Sequence, residues 1–269
     1  ALGYGSLGAN TTASDNTALG HLALAVNTVG TNNVAVGSLA LDANTTASNN
    51  TGVGYQAITS ATTGSENTGI GSYALQTVTT GNNNTAVGVF ALQLSTTASQ
   101  NCAFGRSSME TNTTGLRNSA YGYFSLLMNT TGNDNTAIGH SALKANTTGI
   151  DNTACGRETL INNTTGNYNT AIGKGVLFSL TTGIQNTGIG QQVIQAVTTG
   201  NNNTGLGTYA GLVITTGSNN TCVGHAAGRS SSPSGQITTG SDTICLGDNN
   251  VNDLFCADTT ISSSDARDK

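Results

Sequence analysis

The chain has 269 residues, 8% of them charged and 4% aromatic, with no Trp, one Pro and a formal net charge of -5 at pH 7. That composition departs from an ordinary globular core, where large apolar and charged residues are far commoner; Gly, Asn and Thr stand in their place. The acidic balance excludes a nucleic-acid surface, which needs clustered Lys and Arg, and no apolar run is long enough to insert in a bilayer as a helix.

From its first residues the chain repeats with a period of 17. Glycine recurs at Gly3, Gly20, Gly37, Gly54, Gly71, Gly88, Gly105, Gly122, Gly139, Gly156, Gly173, Gly190, Gly207 and Gly224, and, after a six-residue insertion, at Gly247. A representative unit is Asn135 to Asp151, NTAIGHSALKANTTGID, and positions below are numbered from its Asn. Residues at one position form a row. Ala1-Leu2-Gly3 already occupy positions 3 to 5, so the chain is expected to be a piece of something longer.

Within each unit, positions 3 and 5 are tiny and position 4 is apolar in nearly every case, as in Ala137-Ile138-Gly139. Alternation with period two is a strand signal. Position 9 supplies a second apolar row, from Leu7 and Leu24 through Met109 to Ile194, which predicts a second strand and hence two strands per turn. Ordering 17 residues costs roughly 1–2 kcal/mol each, whereas burying two aliphatic side chains returns only about 1.5–3 kcal/mol apiece. One rung cannot stand alone, so the rungs must stack. The expected fold is all-β, a parallel β-solenoid of about fifteen rungs and a rod on the order of 70 Å long at the usual strand spacing. The strand assignment implies that Gly139→Val is costly and Ser141→Val, at position 7, is not.

Position 1 is asparagine from Asn16 through Asn33, Asn50, Asn67, Asn84, Asn101, Asn118 and Asn135 to Asn220, where stacked amides can hydrogen-bond along an axis. Threonine fills position 13 from Thr11 to Thr238 and position 14 in nearly every unit. These rows read as β-branched corners or as a hydroxyl array that orders water on ice. Repeated triplets such as Asn44-Thr45-Thr46 match glycosylation acceptors but follow from low complexity.

His21, His140 and His225 all fall at position 6. They are exposed decoration, or three copies around a symmetry axis hold a metal; no cofactor is expected. Positions 6 and 7 also carry Tyr55, Tyr73, Phe90, Tyr123, Phe124 and Tyr209, either surface variety or a groove on whose rings cell-surface carbohydrate stacks. Cys102, Cys155, Cys222, Cys245 and Cys256 are odd in number and read as buried thiols replacing alanine. The insertion at 229–235, with Pro233, must leave the rod as a loop. A cap or neck is expected over 248–263; its oxygen-rich start, Asp248 to Asp253, suits Ca²⁺ but lacks the repeat of calcium-binding rolls.

The N-T-A-(V/I)-G-x-x-A-L unit resembles the head repeats of trimeric autotransporter adhesins and the shafts of viral and bacterial fibres. The resemblance spans residues 1–247 and implies a parallel homotrimer. The terminal Ser264-Asp265-Ala266-Arg267-Asp268-Lys269 resembles the junction where endosialidase-type tail fibres meet a C-terminal intramolecular chaperone. That likeness implies that 264–269 begins a truncated chaperone domain. Ser264 is then the nucleophile of a single self-cleavage and Lys269 its base, only in a longer precursor; this chain itself is not expected to be an enzyme.

The readings in competition are a structural and adhesive extracellular fibre on a virion or cell surface, a self-assembling filament without a receptor, and an ice-binding solenoid. An enzyme would need a convergent acid, base or nucleophile set, and no carboxylate or histidine recurs at matched positions to build one. In the precursor, Ser264→Ala or Lys269→Ala should abolish cleavage while the shaft still folds, since the hydroxyl needs a base within reach. Mass spectrometry of the mature chain tests this; a terminus other than Ser263, or cleavage surviving both changes, excludes the chaperone reading.

Overall fold

The computed structural model describes residues 1–229 and 236–248, so Pro233, Cys256, Ser264, Lys269, most of the 229–235 insertion and all but the first residue of the 248–263 cap lie outside the described residues. The fold is a parallel β-solenoid. One three-residue strand per rung, from β1 (Thr17–Leu19) to β14 (Ile244–Leu246), pairs with the next in a 14-stranded parallel sheet in strict chain order. Register never slips: Thr136, Ala137 and Ile138 of β8 (Thr136–Ile138) face Thr153, Ala154 and Cys155 of β9 (Thr153–Cys155). Across the insertion, Cys222 still faces Cys245, because the Ile237 N–H donates to the Gly228 carbonyl at 3.0 Å and returns the chain to its row.

The second strand expected at position 9 is absent from the described rungs. Row 9 sits in a run of tight turns, with positions 7 and 9 both left-handed: φ is 57° at Ser141 and 51° at Leu143. A left-handed leucine costs about 1–2 kcal/mol. Full burial of its side chain returns about 1.5–3 kcal/mol, and Leu143 is completely buried. Burial therefore outweighs the strain, rung after rung. Alternating handedness at 7, 8 and 9 gives a two-residue rhythm, which is why the sequence mimics a strand there.

These turns also hydrogen-bond from rung to rung. The Leu143 N–H donates to Thr159 at 3.0 Å and the Ala145 N–H to Ile161 at 3.0 Å, while Ser141 donates back to Tyr123 at 3.0 Å and Gly139 to Tyr121 at 2.7 Å. Position 13 adds its side chain: the Thr147 N–H and Oγ1 both donate to the Thr164 carbonyl, at 2.9 and 3.0 Å. Nearly the whole perimeter is laddered, so buried backbone groups are satisfied without long strands.

The interior is built from rows 1, 3, 8, 9 and 12, with row 9 the largest filling. At several rungs volume is balanced between a row-9 residue and row 3 of the next rung, while at Gly188 the row-8 Val176 supplies the bulk. The isoleucines of row 9, Ile58 and Ile194, are followed by Gly69 and Gly205, where an added Cβ would stand 2.8 Å from a Cγ1 of each. Conversely, Gly211 and Gly228 replace the leucine and are followed by Cys222 and Cys245; the Cys222 Sγ lies 3.5 and 3.1 Å from where the Cβ of each glycine would be. Close packing at fixed volume explains both swaps.

Two mutational outcomes follow. Gly139 has φ 126° and an added Cβ would lie 2.7 Å from the Gly156 carbonyl oxygen, so Gly139→Val should cost several kcal/mol in urea unfolding. The expectation that Ser141→Val is harmless is corrected, since Ser141 is left-handed and only 4% exposed; the tolerant control is Thr136→Val on the outer strand face, within about 0.5 kcal/mol. Gly69→Ala alone should cost roughly 1–3 kcal/mol by overpacking against Ile58. Adding Ile58→Leu should recover most of that, because leucine precedes alanine in rungs such as Leu75 to Ala86 and Leu143 to Ala154; no recovery would refute the volume coupling.

Candidate functional surface

The predicted asparagine row is real and lies inside. Asn118 Oδ1 accepts the backbone N–H and the Nδ2 of Asn135, at 3.0 and 3.1 Å, and Asn135 Oδ1 in turn accepts both donors of Asn152, each at 3.1 Å. Each Nδ2 also donates to the carbonyl at position 15 of its own rung, Asn135 to Gly149 at 2.8 Å and, where alanine stands there, Asn84 to Ala98 at 2.8 Å. Sequence reasoning missed a second buried stack at position 12, where Asn146 Nδ2 donates to Asn129 Oδ1 and to that same Gly149 carbonyl, at 2.8 and 3.0 Å. Its signal is the Asn of N-T-T, which reads in the sequence only as a chance glycosylation triplet; Ala61, Val78 and Leu180 are among the residues that interrupt the row.

Where row 12 turns apolar, the stack ends with an unpartnered acceptor. Asn44 Oδ1 lies below Ala61 and Asn163 Oδ1 below Leu180, and neither has a hydrogen bond among the described residues. Such an orphan costs about 1–3 kcal/mol. A Leu180→Asn change would only move the orphan one rung on, beneath Val197. Of the acceptor-like triplets at this row, those at Asn44, Asn112, Asn129, Asn146 and Asn163 bury their asparagine completely, and Asn10 in the first rung is exposed.

Row 4 points outward, because row 9 already occupies the coil beneath the strand. Leu19, Ile70, Tyr121, Ile138, Ile172 and Leu206 are all between 41% and 47% exposed, beside the threonines of row 2. The result is one flat strip running the length of the sheet, apolar along row 4. Two polar rows border it. Position 17, just before each strand, carries Asp15, Glu66, Asp134, Asp151 and Asp242 with one cation, Arg117; position 6, just after, carries Arg106, Arg157 and Lys174, the three histidines and, in the last rung, Asp248.

Two ion pairs between permanently charged groups lie on the rod among the described residues. Arg117 holds Asp134 through two bonds of 2.7 Å, which keeps that carboxyl below its usual range; both groups are exposed, so the pair adds little to stability. Arg157 meets Glu158 at 2.8 Å. The histidines stand on separate rungs: His21 stacks on Tyr4, His140 on Tyr123, and His225 lies 3.2 Å from Asp248. Among the described residues no group of three metal-ligating side chains comes together.

The aromatic rows stack along the axis. Tyr73 and Phe90 lie 5.3 Å apart and 18° from parallel, and Phe104 and Tyr121 lie 5.2 Å apart at 8°. In these pairs the ring faces cover one another, while Tyr55 meets Tyr73 edge-on at 90°. Of the cysteines, Cys222 and Cys245 are buried as expected, and burial with its thiol neighbour pushes Cys222 to about 12, far from a reactive thiolate. Cys102 and Cys155 correct the expectation, since both are partly exposed on rows 2 and 4.

These features define a parallel β-solenoid with 17-residue rungs, two buried amide stacks and one exposed apolar strip. No family model, no curated protein and no solved structure matches the chain.

Proposed function

We propose that this chain is the shaft of an extracellular fibre: a rigid rod on a virion or cell surface that holds an attachment function away from its anchor, assembled as a parallel homotrimer. The observation that supports it most is the apolar strip, continuous over the 14-stranded sheet. Isolated soluble proteins rarely expose so long an apolar patch. A shaft built from several copies covers it and gains stiffness from the same contact. Ser264 and Lys269 belong to this reading as the self-cleavage pair of a longer precursor.

The filament without a receptor of its own draws support from the pairs Tyr73–Phe90 and Phe104–Tyr121, whose facing planes are closed to a sugar. The ice-binding reading gains less: row-13 hydroxyls are committed to carbonyls of the next rung. Immunogold electron microscopy with antibodies against the exposed row-14 turns tests the fibre reading. Gold on thin projections from intact particles or cells is expected, and label confined to the interior would overturn it. In the same preparations, a labelled shaft that fails to bind host cells would favour the receptor-free filament.

A further inference from the structure

We infer that the strip seats a second copy of this chain running parallel and in register, with the row-6 edge of one copy against the row-17 edge of the next. The inference rests on the fibre-shaft reading and adds to it a face, a direction and a register.

Area comes first. Fourteen strands make thirteen spacings of about 4.8 Å, and the six steps from position 17 to position 6 at about 3.3 Å each then give a face of roughly 1,200 Å². A stable interface needs about 800 Å² per partner, so the strip suffices without recruiting any other surface.

Charge selects the direction. Two such faces can meet through an axis along the rod, which makes the copies parallel, or through an axis across it, which makes them antiparallel. An axis along the rod places the row-6 edge of one copy beside the row-17 edge of the other. An axis across the rod places row 17 beside row 17 and row 6 beside row 6; centred on the sheet, it sets Asp15 against Asp242 and Arg106 against Arg157, with Arg117 against Asp134 and His21 against Asp248 as its favourable pairs, whereas the parallel arrangement leaves only Asp242 against Asp248 alike. Like charges in juxtaposition cost affinity.

Register follows from what flanks each strand. Asp151 precedes β9 and Arg157 follows it; Asp134 and His140 bracket β8; Asp15 and His21 bracket β1. At matched height, each of these acids meets a basic side chain of the parallel neighbour. Arg157 is exposed and bonds Glu158 only through Nε and one amino nitrogen, leaving the other directed elsewhere. The last rung is the exception, with Asp242 and Asp248 on either side of β14; there His225 already contacts Asp248.

Two measurements on the intact chain test this. Sedimentation equilibrium at micromolar concentration should show an assembly, and a short bismaleimide followed by peptide mapping should join Cys155 to Cys155 of a neighbouring copy. A centred antiparallel arrangement would instead bring β9 opposite the Cys102–Phe104 strand and join Cys155 to Cys102. That link, or a folded monomer, would overturn the inference.

Charge reversal supplies the second arm. Asp151→Arg and Arg157→Asp should each weaken association several-fold, and the double variant should recover it, because the swapped pair meets again only between parallel copies. Both residues are exposed, so folding is checked by circular dichroism and not expected to change. Failure of the double variant to recover would also overturn the proposal. A monomeric rod still displayed on particles would defeat the pairing and leave the fibre reading standing; an assembled rod found only inside cells would do the reverse.

Discussion

Everything in this molecule depends on hydrogen bonding between one turn of the chain and the next. A strand of three residues is too short to be stable by itself, and one rung buries too little apolar surface to offset its own ordering. The amide stack resolves both problems. Each position-1 asparagine satisfies a backbone N–H of the following rung and a carbonyl of its own, so a polar group buried in the centre replaces the missing length of sheet. Because an unmet amide inside would be costly, the stack also fixes register: a rung displaced by one residue would strand donors and acceptors together.

Against that frame the mixed interior makes sense. Alanine and glycine in row 3 leave room under the strand, and the leucine of row 9 fills it from the turn side. The strand's own large side chain is then left with nowhere to go but out. Exposure of row 4 is thus a consequence of the packing beneath it, and the outward strip is as regular as the core.

The period, the parallel coil and the asparagine ladder were legible in the residues, since strict recurrence in a chain this poor in charge leaves few alternatives; which apolar row fills the coil was not. Nor was the number of strands. Left-handed leucines at position 9 follow the same two-residue rhythm as a strand, and no local signal at Ser141 or Leu143 distinguishes alternating turns from extended chain. The direction of row 4 was also hidden, because hydrophobicity alone would send Ile138 inward and keep Ala137 out, the reverse of what volume requires. The second stack at position 12 could have been found by asking why the row keeps asparagine in half of the rungs yet exchanges it for Val78 or Leu180 in others: only a buried site treats those as equivalents.

The coil has a mechanical corollary. Since chain order and spatial order coincide along the 14-stranded sheet, force applied to the two ends of the chain is force applied to the two ends of the rod. Tension loads one terminal rung at a time, as in peeling, while all the rungs behind it stay at rest. A rung that gives way releases about 17 residues, some 55–60 Å of slack at 3.3–3.6 Å per residue, and removes only about 4.8 Å of rod. Under a steady pull the molecule would lengthen in uniform steps and take up load again after each one, a shock absorber whose stroke is set by the repeat length.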